Sequence, residues 1–206
     1  MRRVGVVLLL VLALSGCSKD GKKQPPPQPG LSGGGSASTS PSPTTSDSPT
    51  PSESPEEVIE FSVDGAGPYL IGSTLTELQS SAGLDEVKTG GATCPQNTTA
   101  RGTGTWHDVY LSFHPDGALY LLVNRSPAIP TPSGAYLGTP ASQLKTIYAG
   151  IPGVDLSAGT TKAFLVTTIS GRGILFTLDA TGAVYTMAAA DSAYLKTSFT
   201  KGTDFC

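Results

Sequence analysis

Charged residues are scarce in this chain, and the basic ones do not gather into a patch. Charged side chains make up 14% of the sequence, and the formal net charge is −3. A protein that binds nucleic acid neutralises phosphates with clustered lysines and arginines, so the composition argues against a nucleic-acid partner. Aromatic residues are also few, at 7%. The abundance of Gly, Ser, Thr and Ala favours strands and turns over long helices.

Histidine is rarer still, and occurs only as His107 and His114. A tight metal site needs three or four converging ligands, and the carboxylates are scattered without the spacing of a calcium loop. We therefore predict no metal and no cofactor. His107 is expected at a strand edge, and His114 at the start of a turn.

One pair of residues fits a catalytic motif. Ser142 and Lys145 have the spacing of the S-x-x-K nucleophile motif of penicillin-binding proteins and β-lactamases. The companion motifs are missing, and Ser142 falls in the first turn of a predicted helix, where serine is common. No other nucleophilic or acid–base arrangement is visible in the sequence. We predict no catalytic residue, and a cell-envelope enzyme is the weakest of three functional interpretations.

Long hydrophobic runs are also missing. The longest, Val4–Leu14, has 11 residues, whereas a helix that spans about 30 Å of hydrocarbon needs about 20. Arg2 and Arg3 precede this run, and the small residues Ser15 and Gly16 follow it. A basic start, a short apolar stretch and small residues are typical of a secretory signal peptide, which we assign to residues 1–16.

The next residue, Cys17, completes a motif with Leu14, Ser15 and Gly16. This motif resembles the lipobox of bacterial lipoproteins, and the resemblance implies that the Cys17 sulfur carries a diacylglyceryl group and becomes the first residue of the mature chain. Two acyl chains hold a protein stably on a membrane. The expected location is the extracytoplasmic face of the cell membrane, lipid-anchored. The alternative is an ordinary signal peptide in which Cys17 is incidental.

Residues 17–57 form the lipidated cysteine and a long polar segment. Residues 18–57 contain nine prolines and fourteen serines or threonines, with almost no apolar side chain. Such a segment cannot bury enough surface to offset the entropy of ordering it. We predict a disordered tether between the membrane and a folded domain at 58–206, and composition leaves open whether the tether is glycosylated.

The domain contains an internal repeat. Leu70–Leu78 matches Tyr136–Leu144 at a spacing of 66, and Leu111–Tyr120 matches Phe176–Tyr185 at a spacing of 65. Prolines between these segments mark a junction. We predict two tandem repeats, the first at about 66–126 and the second at about 133–206.

Each repeat is predicted to open with a short helix and to close with an antiparallel hairpin. Thr74 and Glu77 form a capping box at the first helix. Thr139 is the expected N-cap of the second helix, with Pro140 as its first residue. Two or three strands follow each helix. The predicted fold is α+β, with two helix-plus-hairpin units that form one sheet and helices on one face. A β-propeller is the rival interpretation, but two copies are too few to close one.

This arrangement resembles the tandem repeats of the β-lactamase inhibitory protein family and the small lipoprotein domains of outer-membrane assembly. The resemblance is carried by Gly72 and Gly138 before the helices, by Leu78 and Leu144 within them, and by Gly83 followed by Cys94. It implies the shared sheet, and it suggests an inhibitor of a secreted enzyme such as a β-lactamase or protease. The inhibitors have a cysteine pair in each repeat where this chain has one pair, and no contact residue is carried over.

Three cysteines are an odd count for an exported protein. With Cys17 assigned to lipid, Cys94 and Cys206 remain as a pair in an oxidising compartment. We predict a disulfide between them, which would tie the end of the second repeat to the first.

Four aromatic residues are candidates for a recognition surface, because aromatic side chains anchor interfaces. They are Trp106, Tyr110, Tyr120 and Tyr185. Tyr110 and Tyr120 alternate with the predicted inward residues of their hairpin, so we expect them on the sheet face away from the helices. The alternative is that these rings pack against loops or cover the second side of the sheet. The predicted function is a non-catalytic binding module for an envelope protein or a cell-wall component.

Overall fold

The computed structural model describes residues 58–91, 94–202 and 205. The predicted signal peptide, Cys17, the tether to residue 57 and Cys206 therefore lie outside the described residues. In the ranges that are described, no helix is long and apolar enough to cross a membrane.

Short elements alternate along the chain. In order they are β1 (Gly65–Ala66), β2 (Tyr69–Leu70), α1 (Leu75–Ser81), β3 (Asp85–Thr89), β4 (Thr98–Arg101), β5 (Val109–Phe113), β6 (Leu119–Asn124), α2 (Ala141–Ile147), β7 (Gly153–Ala158), β8 (Thr161–Thr167), β9 (Arg172–Leu178), β10 (Val184–Asp191) and α3 (Ser192–Lys201). A single 3-10 turn, Gly104–Trp106, precedes β5.

The described residues from β3 to β10 form one eight-stranded antiparallel sheet, here called the main sheet. Its strand order is β3-β4-β5-β6-β10-β9-β8-β7. The centre is the β6–β10 pair, in which Val123 lies opposite Ala188. In chain order, the strands that follow α1 go from one edge of the sheet to its centre, and those that follow α2 go from the other edge to the centre. The predicted α+β class with an antiparallel main sheet is confirmed, and β1 and β2 pair apart from it as a two-stranded sheet. Each half of the main sheet has four strands where two or three were expected.

Local sequence explains where α1 begins and ends. The Thr74 hydroxyl accepts a hydrogen bond from the Glu77 amide at 3.2 Å, and the Glu77 carboxylate accepts one from the Thr74 amide at 2.8 Å. The predicted capping box is therefore present. After the helix, the Gly83 amide donates to the Leu78 carbonyl, and Gly83 has the left-handed backbone (φ 73°) that glycine adopts without strain.

The start of α2 differs from the expectation. Pro140 is the N-cap residue and Ala141 the first helical residue, one position later than predicted. The Thr139 hydroxyl instead accepts a hydrogen bond from the Tyr136 amide at 3.0 Å. Thr139 is fully buried, so its side chain stabilises the preceding turn and is not available to cap the helix.

The helices α1 and α2 pack on the same face of the main sheet. Leu78 of α1 and Leu144 of α2 are buried in one apolar cluster. The sheet contributes alternate residues of its strands to this cluster, chiefly Val109, Leu111, Phe113, Phe164, Val166, Ile174, Phe176, Met187 and Ala189. Alternation along each strand brings these side chains to one face of the sheet.

The third helix covers the opposite face, so the expectation that helices lie on one face is wrong for α3. Leu195 and Phe199 of α3 are buried in a second apolar cluster with Leu121, Leu165 and Leu175 of the sheet. Leu165 and Leu175 alternate with the residues of the first cluster, so they point the other way.

The position of α3 leaves the two halves of this face unequal. The helix packs mainly on β7, β8, β9 and β10. Among the described residues, no helix covers the same face of β3, β4 and β5. The part of this sheet face over β3, β4 and β5 is therefore open, and α3 forms a wall on the side of this open part that is nearer β10.

Candidate functional site

Two adjoining cavities lie on the open half of the sheet. Their volumes are about 340 Å³ and 380 Å³, and both are lined by Ser112, Val123 and Arg125. Because they share these residues, we treat them as one site and call it the sheet trough. The trough has a polar end over β3, β4 and β5, and an apolar end beside α3.

The polar end is built on a row of side chains across neighbouring strands. Arg101 of β4 lies opposite Tyr110 of β5, which lies opposite Val123 of β6. The guanidinium carbon of Arg101 lies 4.8 Å from the centre of the Tyr110 ring, and that of Arg125 lies 4.7 Å from it. Both distances fit cation–π contacts, so the tyrosine ring orients two arginines.

Arg101 is held by several other groups. It donates to the Glu86 carboxylate at 3.0 Å and to the His107 carbonyl at 3.1 Å, and it pairs with Asp108 at 3.5 Å. The hydrogen bond from Arg101 lowers the pKa of Glu86, and the same bond raises the pKa of Arg101. The Arg101 side chain is therefore held in place at the bottom of the trough, and few of its hydrogen-bond donors remain for a ligand.

Arg125 has a different environment. Its side chain is exposed, and among the described residues it forms no ion pair. Its backbone amide donates to the Asp108 carbonyl at 2.9 Å, which anchors the main chain at the end of β6. The guanidinium is thus oriented by Tyr110, and its hydrogen-bond donors face solvent within the trough.

The apolar end lies between the main sheet and α3. Leu121, Ala188 and Phe199 line it, together with Phe205 near the end of the chain. Tyr185 also lines this end and is 54% exposed. Thr177 and Thr186 are polar residues that also line this end. A ligand that reaches from Arg125 toward α3 therefore passes from a cationic surface to a mainly apolar one.

A tyrosine cluster joins the end of the chain to the first half of the sheet. The Tyr120 ring stacks on His114 with centroids 4.0 Å apart and meets the edge of Tyr194 at 5.5 Å. The Tyr120 hydroxyl accepts from the Asn97 side chain and donates to the Phe205 carbonyl, both at 3.0 Å. These contacts hold Phe205 in place at the apolar end.

The four predicted surface aromatics separate into two groups. Tyr110 and Tyr185 line the trough. Trp106 is 5% exposed and belongs to the first apolar cluster, so its assignment to the recognition surface is wrong. Tyr120 is half-buried, because His114, Tyr194 and Phe205 pack around it.

Arg101 and Arg125 were missed from the sequence. Arg101 ends a strand that was not predicted, and Arg125 follows β6 as a single basic residue. The available signal was the strand period, because Arg125 lies two residues after Val123 and so continues the row of outward positions. Only the pairing of the strands brings both arginines to Tyr110.

The residues of the possible catalytic motif do not approach one another as a nucleophile and its base. Ser142 is exposed on α2, and the Lys145 ammonium pairs with the Asp155 carboxylate at 2.7 Å. His107 and His114 lie in different surroundings, His107 beside Arg101 and His114 on Tyr120. Within the described part of the chain, no group of three His, Cys, Asp or Glu residues is placed to hold a metal ion.

The predicted disulfide involves Cys206, which lies outside the described residues, so it stays a prediction. The surroundings of Cys94 are described. Its carbonyl accepts hydrogen bonds from Gly91 and Asn97, each at 3.2 Å, which forms a tight turn. Through Asn97 and Tyr120 this turn is linked to Phe205, the residue before Cys206.

A smaller cavity of about 160 Å³ lies on the other side of the molecule. Its lining is mostly apolar and includes Tyr148, Ile151 and Val166. The Tyr148 hydroxyl is 2.8 Å from that of Thr131, and burial raises the pKa of Tyr148. This cavity has no charged lining residue among those described, so the sheet trough is the stronger candidate site.

Comparison with known proteins gives little further information. No family model matches the chain, and no curated protein matches it. A solved extracellular protein from Bacillus anthracis that contains a SCP domain aligns with a TM-score of 0.41 and 10% sequence identity. The alignment covers 61% of this chain and 46% of that protein, so this chain spans less than half of its length.

Proposed function

We propose that this chain is a lipid-anchored, extracytoplasmic lipoprotein that acts as a non-catalytic binding module of the cell envelope. The observation that carries the proposal is the sheet trough, a partly cationic and partly apolar surface that the fold leaves open. Its ligand is a protein or a cell-wall component. The trough supports binding rather than catalysis, because arginine, tyrosine and phenylalanine side chains line it, and the single carboxylate among its described lining residues, Glu86, is already paired with Arg101.

The proposed anchor rests on Leu14 to Cys17 and on the polar composition of residues 18–57. We expect the full chain, expressed in a bacterial host, to be recovered in the membrane fraction and to incorporate labelled palmitate. A Cys17→Ser variant should lose the label and leave the membrane on washing. Labelling of that variant at the wild-type level would exclude Cys17 as the lipid site.

We also propose that the domain consists of two tandem repeats. Equivalent backbone hydrogen bonds at the two helix starts support this. The Gly72 amide donates to Leu119, as the Gly138 amide donates to Val184, at 2.8 Å and 2.7 Å. Two further bonds at 2.9 Å repeat the pattern, from Leu75 to Gly117 and from Ala141 to Gly182.

The tandem repeats also explain why the trough is found on one half only. A helix follows β10 at once, whereas β6 is followed by the junction that leads to α2. The first repeat therefore has no counterpart of α3. In this proposal its outer sheet face is kept open for a ligand.

Blocking the trough tests whether it is the binding surface. Ser112 lies where the two cavities meet, so Ser112→Trp should fill the site. We expect the detergent-extracted full chain to cross-link an envelope component, and Ser112→Trp to abolish that product. Ser157→Trp is the control, because Ser157 is exposed on β7 at the far edge of the sheet.

The outcomes separate the possibilities. Circular dichroism checks that the wild type and Ser112→Trp are both folded. Equal cross-linking by the two folded proteins would contradict the trough as the binding site. If the captured component is a secreted enzyme whose rate falls in the presence of this chain, the module is an inhibitor.

A further inference from the structure

We propose that the ligand of the sheet trough is an acidic peptide segment in which a carboxylate side chain stands next to an apolar one. The carboxylate binds Arg125, and the apolar side chain enters the end of the trough that Leu121 and Phe199 line. This inference rests on the proposed binding function and specifies the chemistry of its ligand.

The first argument is the state of Arg125. A guanidinium offers five donors in a planar fork that matches a carboxylate. Tyr110 holds this guanidinium at 4.7 Å, which reduces the entropy lost when a ligand binds. Arg101, on the same ring, already pairs with Glu86 and Asp108. Of the two arginines, Arg125 is therefore the one available to an anion.

The second argument is local charge. The described residues that line the polar end include Lys88, Arg101 and Arg125, against the single carboxylate of Glu86. The site is therefore cationic in a chain whose formal net charge is −3. Opposite potentials at a binding surface steer association and exclude partners of the wrong sign. The complementary ligand is an anion.

The third argument selects a peptide over an anionic wall polymer. Arg125 lines both cavities, and the second one continues to Leu121, Ala188 and Phe199. A polyol phosphate is polar along its whole length, so it would leave Leu121 and Phe199 without an apolar contact. An Asp or Glu next to an aliphatic or aromatic residue satisfies both ends from adjacent positions.

Selection from a peptide library tests the proposal. The detergent-extracted full chain is immobilised and used to enrich linear octapeptides from a random phage-displayed library. We expect the enriched sequences to place Asp or Glu beside Leu, Ile, Val, Phe, Tyr or Trp. The strongest peptide is then synthesised with a fluorescent label, and its affinity is measured by anisotropy.

One substitution in the protein and one in the peptide test whether Arg125 contacts the acidic residue of the peptide. We expect Arg125→Gln to weaken the peptide at least tenfold, and replacing the acidic residue of the peptide by its amide to weaken it similarly. The two changes together should cost little more than either one, because they remove the same interaction. Lys162→Gln removes one positive charge from β8, outside the trough, and should leave the affinity unchanged.

The proposal is overturned if no peptide is enriched, if the enriched peptides lack carboxylates, or if Arg125→Gln binds as tightly as wild type. It is also overturned if glycerol phosphate polymer binds in an Arg125-dependent way and the peptides do not. These failures differ from a failure of the proposed function. Loss of envelope cross-linking in Ser112→Trp, with no effect of Arg125→Gln, would leave the trough as the site and remove only the peptide.

Discussion

At the scale of single residues, the domain depends on close contacts between its largest and smallest side chains. Trp106 is the chain's one tryptophan, and it lies directly against Gly67. A Cβ at Gly67 would lie 2.2 Å from the Trp106 ring, and Gly67 has a left-handed backbone with φ of 51°. Glycine is therefore required here for its backbone and for its size.

We expect Gly67→Ala to be more destabilising than Gly138→Ala. Both sites have positive φ, so each alanine costs about 1–2 kcal/mol in backbone strain. Gly138 has open space around it, whereas Gly67→Ala adds a steric term of about 1–3 kcal/mol. Denaturant unfolding of both variants measures the difference. Equal losses would contradict the contact with Trp106.

Asp179 gives a pH dependence that can be measured. Its carboxylate accepts from the Thr181 hydroxyl at 2.7 Å and from the Thr181 and Ala183 amides. The hydrogen bond from the Thr181 side chain is the main cause that lowers the pKa of Asp179, followed by that from the Ala183 amide. A lowered folded-state pKa means that the stabilisation is present above the unfolded pKa and is lost as the pH falls through the folded value.

We therefore expect wild type to exceed Asp179→Asn in unfolding free energy by a constant amount above about pH 5, and the gap to shrink below about pH 4. Thr181→Val removes the principal donor and should flatten this dependence. Urea unfolding at several pH values measures it. A gap that persists unchanged at pH 2.5 would contradict the role given to the carboxylate.

At the scale of elements, α3 determines which part of the sheet is open. Leu195 is fully buried at its centre, and Phe199 faces the apolar end of the trough. The Asp191 side chain caps the helix by accepting from the Tyr194 amide at 2.8 Å. Residues that stabilise this helix therefore also build one wall of the candidate site.

We expect Leu195→Ala to cost about 2–5 kcal/mol of unfolding free energy, the range for deleting a buried leucine side chain. Lys196→Ala, at the exposed neighbouring position, should change it by less than about 0.5 kcal/mol. Thermal and urea unfolding provide the values. A small loss in Leu195→Ala would show that α3 contributes little to the second cluster.

Local signals account for the elements that could be predicted. The capping box of α1 and the hairpin turns at Asp116 and Asp179 each depend on a few neighbouring residues. These elements could therefore be predicted from the sequence alone. In contrast, β3 is exposed throughout and carries no alternation of apolar and polar residues. Its pairing with β4 is a tertiary property, since neither strand has a hydrophobic face that identifies it alone.

The missed α3 has the same kind of explanation. In its sequence, Ser192–Lys201, four of the ten residues are Ser or Thr, and only Leu195 and Phe199 are large aliphatic or Phe side chains at helical spacing, so the helical period is weak. Because α3 was not expected, the division of the sheet into covered and open halves was not expected either. Tyr110 and Tyr185 could be placed by strand alternation, but the arginines of the trough depend on strand pairing that sequence patterns do not specify.

At the scale of the whole molecule, the contacts among Asn97, Tyr120 and Phe205 bring the end of the chain to the turn that contains Cys94. A covalent link there would hold together two parts of the chain that are distant in sequence. In the chain-entropy account, closing such a long loop stabilises a protein by at most about 5 kcal/mol.

We expect Cys206→Ser to lower the urea midpoint, and reduction of the wild-type protein to lower it by the same amount. The substitution and the reductant remove the same disulfide, so reductant should have no further effect on the midpoint of the variant. Thiol counting under denaturing, non-reducing conditions provides the independent measurement. Reactive thiols at both Cys94 and Cys206 would contradict the predicted disulfide.

The strand order has a consequence for how the protein is made. Within the described main sheet, β6–β10 is the one pair that joins strands distant in sequence, and all other neighbours are consecutive along the chain. During synthesis, β6 therefore keeps an unpaired edge until almost the last residues have been added, and such edges promote aggregation. A product that stops before β10 would carry Arg125 but not Ala188 or Phe199. Completion of the chain is thus also completion of the candidate site, and a product that stops before β10 lacks part of that site and keeps an unpaired edge at β6.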